Sequence, residues 1–425
     1  MVFGIYSRDI PKGELVNSIK IMLPTMIQEG SRNKGNENLV VMAALKRIAD
    51  FFVKANGPSA ASLMNGRAGI VLFLAYYGLY IDKSYLPYVQ KGIESILNTV
   101  ENAENITYSY AEGVMGISSF LCHLAEKKIA RAQQFRSEEV YSVLSDYTLY
   151  KINKWKDELL YGAGGGITFF LQDYLFSQSA QSFQRLQLFS NEIYQRYKAH
   201  NNILPPSSST GIAHGYSSWI ILLSKMIEIG VCPNTNSQVL DSILKRYEPF
   251  LFSSDSSEGF FPGTIDQDGT AQTYWNRFGW CRGDISCLIA HLQCYSILNR
   301  HYEKDITLQK LVLLSKERNA EQYHVHDSAI CHGTSGLFLI FKWLYSMYPI
   351  DEFKKSYEYW FHKTLSSIDF EDRYLGFYKK NIGEKGEILS AETGLLEGLS
   401  GIGLCLMAGI GINDEWKKLL LIGIS

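Results

Sequence analysis

Seven apolar segments recur along the chain, each opened by a glycine and each ten or more residues long. They read GRAGIVLFLAYYG from Gly66, GVMGISSFLCHLA from Gly113, GAGGGITFFLQDY from Gly162 and GYSSWIILLSKMI from Gly215. GDISCLIAHLQCY from Gly283, GTSGLFLIFKWLY from Gly333 and GLSGIGLCLMAGI from Gly398 complete the set. Successive leading glycines lie 47, 49, 53, 68, 50 and 65 residues apart. Runs of this length outlast an ordinary strand and are apolar nearly all round, which predicts buried helices. Between them lie amphipathic stretches with charged faces, such as residues 86–100 and 183–198, which predict half-exposed helices.

One buried and one half-exposed helix per period describes an array of helical hairpins. Seven hairpins can form an open solenoid or close into a ring with the buried helices inside. The buried segments offer little polar surface for a solvated concave face, which favours closure. The expected fold class is therefore all-α: an α/α toroid with seven inner and seven outer helices. It is expected as a single domain over residues 1–425, with a repeat core from about residue 40 and an N-terminal extension over residues 1–35. That extension carries a helical pattern around residues 15–28.

Of the 425 residues 46% are hydrophobic, enough for a large core. Lys plus Arg number 41 and Asp plus Glu 43, a balance that gives no reason to expect broad attraction to nucleic acid or anionic lipid. No apolar run approaches the roughly 20 residues of a membrane-crossing helix. The amino terminus lacks a basic start, an apolar stretch and a small-residue cleavage site. Seven cysteines in so long a chain suggest a reduced, cytoplasmic setting rather than a disulfide framework.

Candidate chemistry gathers at the two residues before each leading glycine. These pairs are Met64-Asn65, Ala111-Glu112, Leu160-Tyr161, Ala213-His214, Cys281-Arg282, Cys331-His332 and Leu396-Glu397. If the copies are equivalent, the pairs share a rim and converge on one centre. Cys281, Cys331 and His332 then supply two thiolates and an imidazole, the right set for one zinc ion. Four protein ligands usually close a structural zinc site, whereas three leave a position for water or substrate. That points to an enzyme that activates a thiol, with His214 on the same rim as an acid or base. Cys122, Cys232, Cys287, Cys294 and Cys405 read as small core residues. His324 and His326 read as a solvated loop pair.

Four motifs carry a family resemblance: Gly-Ile-Ala-His-Gly at 211–215, Trp-Cys-Arg-Gly at 280–283, Cys-His-Gly at 331–333 and Gly-Leu-Leu-Glu-Gly-Leu-Ser-Gly at 394–401. In that order and spacing the chain resembles the lanthionine synthetase C (LanC) family of lanthipeptide cyclases, from about residue 40 to the carboxyl end. Its length resembles a stand-alone cyclase. The resemblance implies an α/α toroid of seven inner and seven outer helices with one zinc at its mouth. The implied reaction is addition of a peptide cysteine thiol to a dehydroalanine or dehydrobutyrine of the same precursor, forming a thioether ring in lantibiotic biosynthesis. By motif, Cys281, Cys331 and His332 take the zinc-ligand roles, His214 the acid/base role and Arg277 that of an active-site arginine. A dehydrated precursor peptide is the implied partner. A biosynthetic complex with a dehydratase and an export transporter would bring the chain to the membrane periphery.

Two positions depart from the family pattern. Where the family often has tyrosine after the first ligand cysteine and Pro-Gly soon after, this chain has Arg282 and then Asp284-Ile285-Ser286. The family also places an aspartate four residues before the third leading glycine. Counted from Gly162 that position is Glu158, with Asp157 beside it; the Gly-Ala-Gly-Gly-Gly run leaves both carboxylates as candidates.

Zinc would stabilise the thiolate of a cysteine whose ordinary pKa is near 8.5. Attack on the alkene then generates an enolate that needs a proton; one of the two proton transfers suits His214, with Asp157 or Glu158 orienting it and Arg277 supporting the enolate oxygen. Three other readings compete. One adds a small thiol such as glutathione to dehydrated peptides. A second is a non-catalytic scaffold with structural zinc. The third, a glycosidase using paired carboxylates, leaves the cysteines and His332 unexplained.

Overall fold

A computed structural model of the chain describes residues 34–55, 60–131, 134–202, 209–253, 259–266, 270–274, 277–383 and 386–424. The helical pattern read over residues 15–28 lies outside them. Among the described residues the chain runs α1 (Lys34–Lys54), α2 (Arg67–Tyr80), α3 (Leu86–Glu101), α4 (Val114–Glu126), α5 (Glu138–Asn153), α6 (Ala163–Ser177) and α7 (Ala180–Ala199). It continues through α8 (Tyr216–Glu228), α9 (Pro233–Leu251), α10 (Asp284–Ile297), α11 (His301–Leu314), α12 (Thr334–Met347), α13 (Asp351–Ser366) and α14 (Leu399–Gly409).

Each even-numbered helix is one of the seven apolar segments, and the leading glycine is its N-cap in every case. Burial follows composition. In α2 every residue from Ala68 to Gly78 is buried, whereas the neighbouring α3 buries only Val89, Ile93 and Ile96. The apolar helices pack on one another, α2 on α4, α4 on α6, α6 on α8, α8 on α10 and α12 on α14, and α14 returns to pack on α2. The amphipathic helices pack outside them, α3 on α2, α9 on α8 and α13 on α12. The first such helix, α1, packs on both α14 and α2.

The rim closes on itself through backbone hydrogen bonds. The amide of Met64 donates to Ala111 O (3.2 Å), Ala111 to Leu160 O (2.9 Å), Leu160 to Ala213 O (3.4 Å) and Ala213 to Cys281 O (3.2 Å). Cys281 donates to Cys331 O (3.3 Å), Cys331 to Leu396 O (3.0 Å), and Leu396 back to Met64 O (3.1 Å). Every residue in this circle both gives and accepts, so all seven copies are held at one level with no buried peptide group left unmatched there.

The helices are joined by two elements that the hydrophobic pattern did not predict. Strands β1 (Pro262–Ile265) and β2 (Ala271–Tyr274) pair antiparallel between α9 and α10. Strands β3 (Lys379–Gly383) and β4 (Gly386–Ser390) do so between α13 and α14. They occupy the two intervals where the glycine spacing stretches to 68 and 65 residues, so the extra chain folds back on itself as hairpins.

The carboxyl-terminal segment lies among α4, α10 and α12. In and just after a 3-10 helix, Glu415–Leu420, it buries Trp416, Leu419, Leu420, Leu421 and Ile422 completely. Leu419 O accepts from the Tyr110 hydroxyl (2.8 Å) and Leu420 O from Trp280 Nε1 (2.7 Å). Leu421 O accepts from Gln293 Nε2 (3.1 Å), and Asp414 pairs with Lys342 (2.7 Å). Tyr110 and Trp280 each precede a rim residue, so the segment braces the circle from beneath.

Candidate metal centre and active site

The rim circle places the side chains that follow it around one cavity of about 220 Å³, lined from all seven copies and by Arg277. On one side Cys281, Cys331 and His332 converge: one donor atom from each lies within 4.8 Å of the other two. Cys281 Sγ stands 4.0 Å from His332 Nδ1. Both cysteines are buried and His332 is half-buried. The hydrogen bond from Cys331, with those from His332 and the charge of Arg277, holds the Cys281 thiol well below the ordinary thiol range against the opposing effect of burial. The same contact with Cys281, with burial, pushes Cys331 well up. Two cysteine sulfurs beside an imidazole make a donor set matched to a soft, tetrahedral cation.

Gly283 follows Cys281 and Arg282 and starts α10 with φ +91°, where the other six leading glycines are extended. A Cβ there would fall on the carbonyl oxygen of Arg277. This single left-handed residue lets the chain bring Arg277 and Cys281 into one cavity. Arg277 Nε is buried with no hydrogen-bond partner among the described residues.

On the copy next to Cys281, His214 Nδ1 lies 3.1 Å from Glu158 Oε2. Glu158 is fixed in turn by the amides of Leu160 (to Oε2, 2.9 Å) and Tyr161 (to Oε1, 2.6 Å). Gly162 is the N-cap of α6, so the count from the third leading glycine lands on Glu158. Asp157 takes a different course. Its carbonyl accepts from Trp219 Nε1 and from the Gly164 amide, and burial pushes its half-buried carboxyl up to about 7 against the pull of Arg196 and Lys156.

Other rim residues complete the wall. Tyr161 lies parallel to the His214 imidazole, with 4° between the planes and 6.3 Å between ring centres. Its hydroxyl donates to Glu112 Oε1 at 3.2 Å. Glu397 pairs with Lys379 Nζ at 2.6 Å, a residue of β3 that the repeat pattern gives no means of finding. His324 is exposed and His326 half-buried, and their rings are 5.8 Å apart. Cys122, Cys287, Cys294 and Cys405 are core residues, but Cys232 is only half-buried and caps α9 in a left-handed conformation.

Comparison with known proteins follows the same outline. No curated protein matches this sequence. Nisin cyclase matches in structure with a TM-score of 0.63 and 20% identity, over 90% of this chain and 96% of that one, which shows a shared fold. The family described as lanthionine synthetase C-like protein matches residues 57–421, nearly the whole repeat region, and the chain belongs to that family.

Proposed function

We propose that this chain is a zinc-dependent lanthipeptide cyclase, built as a single α/α toroid of seven hairpins. It joins a cysteine thiol of a dehydrated precursor peptide to a dehydroalanine or dehydrobutyrine of the same peptide. The observation that carries this reading is convergence: two thiols and an imidazole from adjacent copies meet in the cavity that His214 and Arg277 also line, with Glu158 hydrogen-bonded to His214. Family membership and the likeness to nisin cyclase support it.

Cys281, Cys331 and His332 would hold the zinc. When bound, the metal supplies stabilisation of a thiolate at neutral pH. His214 moves a proton at Nε2, the ring nitrogen not engaged by Glu158. Glu158 fixes the tautomer and orientation of that ring. Arg277, which lines the cavity, stabilises the enolate oxygen that develops after attack.

On this reading a dehydratase supplies the substrate, because dehydroalanine and dehydrobutyrine arise by loss of water from serine and threonine. An export transporter would take the product. No helix among the described residues is long and apolar enough to cross a membrane. The test uses the purified, zinc-loaded protein and a peptide with one cysteine and one dehydroalanine. Loss of the alkylatable thiol with no change in peptide mass is expected. A thiol that stays free would end the cyclase reading.

A further inference from the structure

The cyclase reading leaves two protons to account for. One leaves the cysteine sulfur, and one arrives at the α-carbon of the former alkene. We propose that Tyr161 is a second catalytic residue, the acid that protonates the α-carbon, while His214 takes the proton from sulfur. The inference rests on the cyclase reading and divides the work at the same site.

The order of side chains round the rim matches the order of reacting atoms. Cys281, Cys331 and His332 mark where sulfur sits; His214 belongs to the copy before Cys281, and Tyr161 to the copy before that. A substrate lying along the rim as S–Cβ–Cα puts sulfur against His214 and carries the α-carbon toward Tyr161. Glu158 locks both groups in this relation, one oxygen on His214 Nδ1 and the other on the Tyr161 amide. The parallel rings face the same cavity, and Tyr161 is 40% exposed, open to a ligand.

The electron count closes. His214 accepts the S–H proton as the sulfur pair forms the S–Cβ bond and the alkene π pair moves toward the carbonyl oxygen. The enolate pair then takes the phenol proton, making the Cα–H bond and leaving a phenolate. The imidazolium gives its proton to solvent and the phenolate recovers one, through the exposed Glu112 carboxylate that accepts from the Tyr161 hydroxyl. No proton is gained or lost overall. Burial and the nearby carboxylates, Glu112 first, raise the phenol above its ordinary range, so it waits protonated. An amide enolate is far more basic than a phenolate, so the transfer runs downhill.

Tyr161→Phe removes only the hydroxyl and is the variant to test. Thioether formation is followed in single turnovers, with zinc content, thermal midpoint and the configuration of the new α-carbon measured alongside. The expected result is a rate loss of about 10²-fold or more with zinc and thermal midpoint unchanged. It comes with a mixture of α-carbon configurations, because a flat enolate left to solvent accepts a proton on either face. His214→Asn should be slow yet keep one configuration. Wild-type rate in Tyr161→Phe, or a slower reaction that keeps a single configuration, overturns the assignment. If the wild type itself leaves the thiol free, the cyclase reading fails instead.

Discussion

His214 Nδ1 and Glu158 Oε2 stand 3.1 Å apart, and the oxygen is held by the Leu160 amide as well. A carboxylate fixed by backbone donors is a rigid anchor for an imidazole. Glu158→Gln should therefore keep the fold and the metal but lower kcat for ring formation by roughly 10- to 100-fold, the usual cost of losing such an orienting partner. Asp157→Asn should cost far less, because its backbone carbonyl, not its carboxylate, makes the bond to Trp219. Equal losses in the two variants would remove Glu158 from the proposed role.

Much of this was legible because repetition imposes a pattern. Seven leading glycines read as helix starts are seven N-caps, and the residues before them form the closed circle. The register that puts Glu158 four residues before the start of α6 was not legible, since a run of glycines hides where that helix begins. Neither was the Lys379–Glu397 pair, which joins a short polar hairpin to the rim through tertiary structure alone. Trp280 and Leu420 meet across 140 residues, a contact no local period announces. Cys232 misled because a small thiol before a helix looks like core; here Pro233 follows it and its own φ is +39°.

The donor set makes a stoichiometric claim. The wild type should bind one zinc, and Cys281→Ala or Cys331→Ala should lose it, whereas His214→Ala should retain it. Free zinc at about 100 times its Kd should stabilise the wild type by about 2.7 kcal/mol and leave the cysteine variants unmoved. Metal analysis and thermal melts check both parts; one equivalent of zinc in Cys331→Ala would contradict the ligand assignment.

Gly283 tests whether backbone geometry builds the site. Its φ of +91° suits only glycine, and an added Cβ would strike the Arg277 carbonyl oxygen. Gly283→Ala should cost at least about 1–3 kcal/mol in denaturant unfolding. It should also weaken zinc binding, because Cys281 lies two residues away. A variant with unchanged stability and zinc affinity would show that the turn has another solution.

His291 gives the fold a pH dependence that can be isolated. It is fully buried on α10 among Tyr247, Phe261 and Tyr295, donates from Nδ1 to Cys287 O at 2.8 Å, and has no partner at Nε2 among the described residues. Burial pushes it down to about 4 from an ordinary 6.5. Between those values the unfolded chain binds the extra proton, so this group's contribution to stability is complete above pH 6.5 and drains away as the pH falls toward 4. His123, pushed down to about 3, acts in the same direction. Asp157 and Asp284, pushed up to about 7 and about 6 by burial, act oppositely: their protonated folded forms favour the native state as the pH drops. The wild-type profile sums these opposing groups, but a difference between two proteins isolates one of them. His291→Phe loses a hydrogen bond at every pH, a constant offset, and also loses the acid penalty. Its stability relative to the wild type should therefore improve by about 2 kcal/mol between pH 6.5 and 5, measured by urea unfolding at each pH. A difference that stays flat would mean that His291 takes up its proton in the folded protein as readily as in the unfolded one.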